Sequence, residues 1–165
     1  MFYRASLLFV IALGGCASVR AQALVDQPSL TLDAAIKMAD ACESFAKSKD
    51  FKVAMWVVDE NGVPVHIKRM EGAPARAIHE AELKSMSSRQ WGASTDPADP
   101  SSPVAKMLKG PRGQAQAILL NTLPEGGGLP VIVDGKVAGA IGVAGAGGAG
   151  DGQCARAAID ALHRK

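Results

Sequence analysis

Apolar positions recur along this chain at two spacings, and the switches between them mark out its elements. Thr31 is an N-cap residue type with Asp33 in the turn behind it. Leu32, Ala35, Ile36, Ala39, Cys42 and Ala46 then follow at helical spacing. That stripe predicts an amphipathic helix over 32–48. Val53-Ala54-Met55-Trp56-Val57-Val58 is almost continuously apolar and predicts a strand. Asn61-Gly62 comes next, a dipeptide whose tolerance of positive φ suits a two-residue hairpin turn. The return strand runs from Val63 to Met70, where Val63, Val65 and Ile67 alternate with Pro64, His66 and Lys68. Residues 75–91 read as a second helix with Ile78, Leu83 and Met86 on its apolar side.

The stretch 92–103, GASTDPADPSSP, has three prolines and no core residues. It predicts a surface loop of a length common in lids and interfaces. Val104–Lys109 reads as a short helix, and Gln114–Asn121 is ambiguous between helix and strand. A second hairpin is clear: Val131-Ile132-Val133, the turn Asp134-Gly135, then Lys136–Val143. A Gly-rich turn leads to a last helix over 151–163, with Ala155, Ala158, Ile159 and Leu162 on one face. The order is α-β-β-α-(α or β)-β-β-α. Tight turns force antiparallel pairing, so the fold class is α+β, a sheet built from two hairpins with flanking helices.

The first 23 residues lie outside that pattern. Arg4 precedes the apolar run Leu7–Leu13, which is well short of the roughly 20 residues a bilayer core requires. It predicts a secretory signal. Two processing sites compete. Leu13-Gly14-Gly15-Cys16 matches a bacterial lipobox, in which Cys16 is lipidated and becomes the new N-terminus; Ala21-Gln22-Ala23 fits ordinary signal-peptidase cleavage. Either route exports the protein, with a bacterial periplasm as the expected destination. A single domain is expected over 24–165, touching membrane only through a lipid anchor.

Charge sharpens the picture. The chain has 18 Lys plus Arg against 16 Asp plus Glu, and Arg4 and Arg20 account for the whole excess. The remainder is balanced, with no basic stripe to neutralise phosphates, so nucleic acid is excluded as a partner. After residue 23 the only aromatic residues are Phe45, Phe51, Trp56 and Trp91. Ala and Gly dominate, which implies closely approaching backbones.

Candidate chemistry is sparse. Cys42 and Cys154 could pair in an oxidising compartment. Each also lies in an Ala-rich helical pattern where a free thiol behaves as a small hydrophobe, and buried thiols are the favoured reading. Gly145-Ala146-Gly147-Gly148-Ala149-Gly150 matches GxGxxG. A dinucleotide site would need a second parallel strand beyond the helix, and too little chain remains, so it is rejected. Its amides, Gly145 and Gly150 included, could still hold a carboxylate or propionate. Asp151, read as an N-cap, would satisfy those amides instead. Among His66, His79 and His163 no two have metal-site spacing. His79 borders the stripe of Leu83 and Met86, with Glu82 one turn away. It is read either as a hydrogen-bonded boundary histidine or as a ligand to a metal or haem. Arg69 and Arg112 could each meet an anion. No GxSxG or other nucleophile arrangement occurs, so no catalytic residue is assigned.

The ordered segments resemble the GlcG/HbpS-like haem-binding family, which includes the C-terminal domain of PduO-type proteins. The resemblance rests on Leu32–Ala41, Val57–Gly62, Arg69-Met70-Glu71-Gly72-Ala73, Lys84, Gly127–Val143 and Gly150–Ala155. It implies a profilin-like fold, haem binding or haem handling, and a ring-like homo-oligomer, often an octamer. Departures are visible: Glu71 stands where the family often has Asp, and Ala144-Gly145 where it often has Ser-Gly. The run after Lys84 is Ser85-Met86-Ser87-Ser88, and the ExxE acids of one branch are absent.

These readings combine into an exported haem- or tetrapyrrole-binding protein without turnover. His79 is its metal ligand, and Arg69, Lys84, Met86, Arg112, Gly145, Gly150 and Asp151 line the pocket. The alternatives are an enzyme acting on a small anionic metabolite in the same pocket, with Glu82, Lys84 or His79 moving a proton, and a structural assembly subunit.

Overall fold

The computed structural model describes residues 26–163. The expected signal segment, with Cys16 and both candidate cleavage sites, therefore lies outside the described residues. Helix α1 (Leu32–Ser48) begins where expected, with the Thr31 hydroxyl accepting from the Ala34 amide at 3.2 Å. Strands β1 (Ala54–Asp59) and β2 (Pro64–Arg69) form the first hairpin. Its connection is longer than the two residues Asn61-Gly62 suggested. The Asp59 carboxylate accepts from the Asn61 and Val63 amides, closing a four-residue loop before Pro64. The second hairpin, β3 (Gly128–Val133) and β4 (Lys136–Ala144), does use the two-residue turn. Asp134 and Gly135 both have positive φ, at 49° and 75°, as a type I′ turn requires.

The sheet order is β2-β1-β4-β3, every pair antiparallel. Alternation along the central strands separates two layers. Met55, Val57, Ile141 and Val143 face α1 and α5 (Gly147–Leu162) in the main core. Ala54, Trp56 and Ala144 face α2 (Ala77–Trp91). The result is the expected α+β architecture: a four-stranded antiparallel sheet between a helix pair and a single helix. Residues 114–121, ambiguous in sequence, are mostly helical: α3 (Pro103–Met107) and α4 (Pro111–Leu119) follow each other between α2 and β3.

Helix α2 corrects the expectation most. The side it buries is Ala77, Ala81, Lys84, Ser85 and Ser88, while Ile78 and Leu83 are only half-buried and Met86 is 37% exposed. The cause lies in the sheet beneath it. A Cβ on Gly142 would stand 1.9 Å from the Ala81 carbonyl oxygen, so helix and strand backbones touch and only small side chains fit between them. The Pro-rich loop also contributes to the interior, contrary to its polar reading. Thr95 is buried, and its hydroxyl accepts from the Gly128 amide at 3.0 Å, pinning the loop to the start of β3.

On the other face α1 and α5 close together through Ala35, Ala39 and Ala46 against Ala155 and Ala158. Cys42 and Cys154 meet there as a disulfide, with Cα atoms 4.8 Å apart. The buried-thiol reading is thus overturned: the small-residue stripes that made each Cys look like filler also bring the helices within bonding distance. Lys68 of β2 fastens the sheet edge to α1 through Asp40 and Glu43. Its ammonium, with that of Lys47, holds the Glu43 carboxyl below the usual carboxylate range.

Two predictions follow from this packing. Replacing Cys42 and Cys154 together by Ala should cost about 2–4 kcal/mol, the range for a cross-link closing a long loop. It would be read as a lower urea midpoint, which reduced wild-type protein should match. Because the folded-state pKa of Glu43 is lowered, its contribution is present above the ordinary Glu range and lost as pH falls through the native value. The destabilisation by Glu43→Gln should therefore be measurable at pH 7 and fade in acid, as urea titrations at stepped pH would show.

Candidate functional site

Lys84 and Asp151 lie in different layers, Lys84 on α2 and Asp151 on α5. They meet around the end of β3, where Lys84 Nζ is 2.9 Å from Asp151 Oδ2 and 3.3 Å from Glu125 Oε2. Lys84 is 0% exposed. The passage exists because residue 127 is glycine. A Cβ there would fall 2.8 Å from the Asp151 Cβ, 3.2 Å from Lys84 Cδ and 2.4 Å from the Val143 carbonyl oxygen. Asp151 is not the N-cap the sequence suggested. Helix α5 begins four residues earlier, at Gly147, and the Asp151 carboxylate reaches back to accept from the Ala146 amide at 2.8 Å. Burial pushes the Asp151 carboxyl above its ordinary range, and the Ala146 amide and the Lys84 ammonium offset that in part.

Against this corner opens a cleft of about 710 Å³, a size suited to a small organic ligand. Phe45, Leu129 and Ala157 give it an apolar lining, and Gly127, Gly148 and Gly152 form its wall in front of Asp151. Lys49, Arg156, Asp96 and Asp160 supply the charges. Among the described residues no His, Met, Cys or Tyr lines it.

The anticipated site residues are therefore divided. Lys84 and Asp151 come together, while Gly150, next to Asp151 in the chain, packs against the Phe51 ring. His79 is five residues from Lys84 on α2 and points to a different face; its side chain is 69% exposed. Its Nδ1 lies 3.3 Å from Glu82 Oε2, which leaves Nε2 turned to solvent. Met86 is two turns along the same face, against the β1–β2 turn at Gly62. Arg69 donates to the Ala73 carbonyl at the entry to α2. Arg112 stands exposed on the first turn of α4, and Gly145 packs its backbone on Lys52. Among the described residues no group of three His, Cys, Asp or Glu forms a metal cluster.

Comparison with known proteins now becomes decisive. The sequence model of the family described as "Haem degrading protein HbpS-like" matches residues 30–160. The chain belongs to this family. It is similar to a double Glu-to-Asp mutant of Streptomyces reticuli HbpS, with 33% identity, TM-score 0.73, and coverage of 96% of this chain and 99% of that one. Klebsiella pneumoniae protein ORFY is 27% identical, with TM-score 0.74 over 87% of this chain and 97% of its own. An uncharacterised 15.0 kDa protein of Citrobacter freundii is 34% identical over 118 residues, 71% of this chain and 80% of its own. At 20% identity the PduOC structure, solved as a haem complex, shares the fold, with TM-score 0.71.

The HbpS-like fold thus contains features the sequence reading did not assemble: the Lys84–Asp151–Glu125 cluster, Thr95, and the cleft residues Phe45, Lys49 and Arg156. One signal was available. Lys84 lies seven residues after Ala77 and three after Ala81, in line with the small-residue stripe that α2 buries.

Removing one partner of this buried pair strands a charge. Lys84→Met alone should cost about 3–5 kcal/mol, whereas Lys84→Met with Asp151→Leu should recover most of that loss. Equilibrium denaturation of the single and double variants measures both.

Proposed function

We propose that this chain is an exported, oligomeric protein that binds haem or a related anionic tetrapyrrole and takes part in haem handling or sensing. The observation that carries the reading is the HbpS-like match, which spans nearly the whole described fold. The disulfide supports export, since such cross-links persist in oxidising compartments. A periplasmic destination, with or without a lipid on Cys16, follows from the leader.

His79 is the iron ligand in this proposal. The test of fit is the state of its ring: a carboxylate at Nδ1 fixes an imidazole and leaves Nε2 available, the arrangement that metal-bound histidines use. The cleft offers iron no such atom. Haem supplies a redox-active iron when bound. The chain's own part is to hold it along the outer face of α2, where Leu83 and Met86 give apolar contact. One helix face covers only one side of a macrocycle, so a second copy would cover the other. That is the role we assign to an oligomer, an octamer by resemblance.

A second reading is favoured by the cleft itself. Lys49 and Arg156 give it two cations for a small anionic metabolite, set against the carboxylates of Asp96 and Asp160 in the same lining.

Hemin titration separates the two sites. Wild-type protein should give a saturable Soret shift, weakened about tenfold or more by His79→Ala and less by Glu82→Gln. Lys49→Ala with Arg156→Ala should leave it unchanged. No Soret shift, or one indifferent to His79→Ala, would sink the assignment.

A further inference from the structure

The excursion between α2 and β3 carries a surface unlike the rest of the molecule. From Ser101 to Pro124 there are three basic residues, Lys106, Lys109 and Arg112, and no acidic one. Over 26–163 the balance runs the other way, with 14 basic residues against 16 acidic, because Arg4, Arg20, Arg164 and Lys165 fall outside. All three cations are exposed. The tip beside them is apolar: α4 buries only Ala117, while Ile118 and Leu119 are 81% and 85% exposed. Arg112, Ala115 and Leu119 stand at i, i+3 and i+7, so one stripe of α4 begins with a cation and ends with a bare leucine. Two bare aliphatic side chains of this size are costly to hold in water and mark a contact surface.

We propose that this α3–α4 tip docks on an anionic lipid bilayer. Ile118 and Leu119 enter the boundary between headgroups and acyl chains, and Lys106, Lys109 and Arg112 meet lipid phosphates. Apolar side chains flanked by cations without acids are the chemistry of interfacial helices. Among the described residues no helix is long and apolar enough to cross a membrane, so the contact is one of surface. A second copy in a two-fold contact at this tip is the poorer occupant: it sets the patch against itself, opposing two sets of three cations. This inference is independent of the haem assignment.

The test is co-sedimentation of the full chain with vesicles of phosphatidylglycerol and phosphatidylethanolamine, and separately with phosphatidylcholine. Residues 1–25 are common to all variants, so comparison between variants isolates the tip. Wild-type protein should bind the anionic vesicles, less as salt rises. I118S/L119S should lower that partition about tenfold. K106Q/K109Q/R112Q should lower it on anionic vesicles and leave phosphatidylcholine unaffected. Circular dichroism should be unchanged in both, because the replaced side chains are exposed. Absence of wild-type binding, or equal partition of wild type and I118S/L119S, overturns the proposal. So does light scattering in which I118S/L119S breaks a larger assembly while vesicle binding persists, since the face would then join copies of the chain.

Discussion

The ion pair between Lys84 and Asp151 is the constraint on which the rest of this fold is arranged. It joins the two helical layers, and it does so around a strand end rather than through the sheet. Taking both charges out of water is expensive, and their attraction repays that cost only when the remaining valences are filled. Here they are: Asp151 also accepts from the Ala146 amide, and Lys84 also meets Glu125. The geometry then dictates its neighbours. Residue 127 must leave room between carboxylate and lysine stem, and glycine does so. The glycine run that imitates a nucleotide fingerprint answers to close packing instead: a Cβ on Gly145 would stand 2.3 Å from the Lys52 carbonyl oxygen, and one on Gly150 would stand 3.1 Å from the Phe51 ring.

The same economy explains a core with few aromatic residues. Large side chains fill space between separated backbones; small ones let backbones approach and gain dispersion from the chain itself. Both layers take the second course. Gly142 against Ala81 sets α2 on the sheet, and alanines set α1 against α5 closely enough for a disulfide. The cross-link and the ion pair then tie α5 to each of the other packed helices, to α1 through sulfur and to α2 through charge.

How far the sequence could be read follows from which interactions are local. Strand alternation, the Asp134-Gly135 turn and the Thr31 cap are decided within a few residues, so both hairpins and α1 stand where the pattern puts them. Even the first hairpin's longer loop came from a neighbour, the Asp59 carboxylate. What failed depended on distant partners. The buried side of α2 was misread because a helix on a glycine floor buries Ala, Ser and Lys and leaves Met86 outside, so the periodic stripe to follow was the small-residue one and not the apolar one. The disulfide, across 112 residues, was the less favoured of two readings for the same reason. The cleft was invisible, since its lining comes from α1, the 94–96 loop, β3 and α5.

The two faces of α2 finally separate two chemistries that one chain had seemed to offer in a single pocket. Lys84 points inward from α2 to the ion pair, and His79, five residues earlier, points outward with Nε2 in solvent. A ligand held by His79 therefore cannot also be held by Lys84. Nor is the Ala146 amide at the α5 start free for an anion: Asp151 takes it, so any propionate or carboxylate arriving there must compete with a carboxylate already built into the fold. An anion in the cleft must instead look to Lys49 and Arg156 in its lining. The buried pair that organises the fold thereby also fixes where recognition can take place: outside it, on surfaces whose cations are not already spent on Asp151.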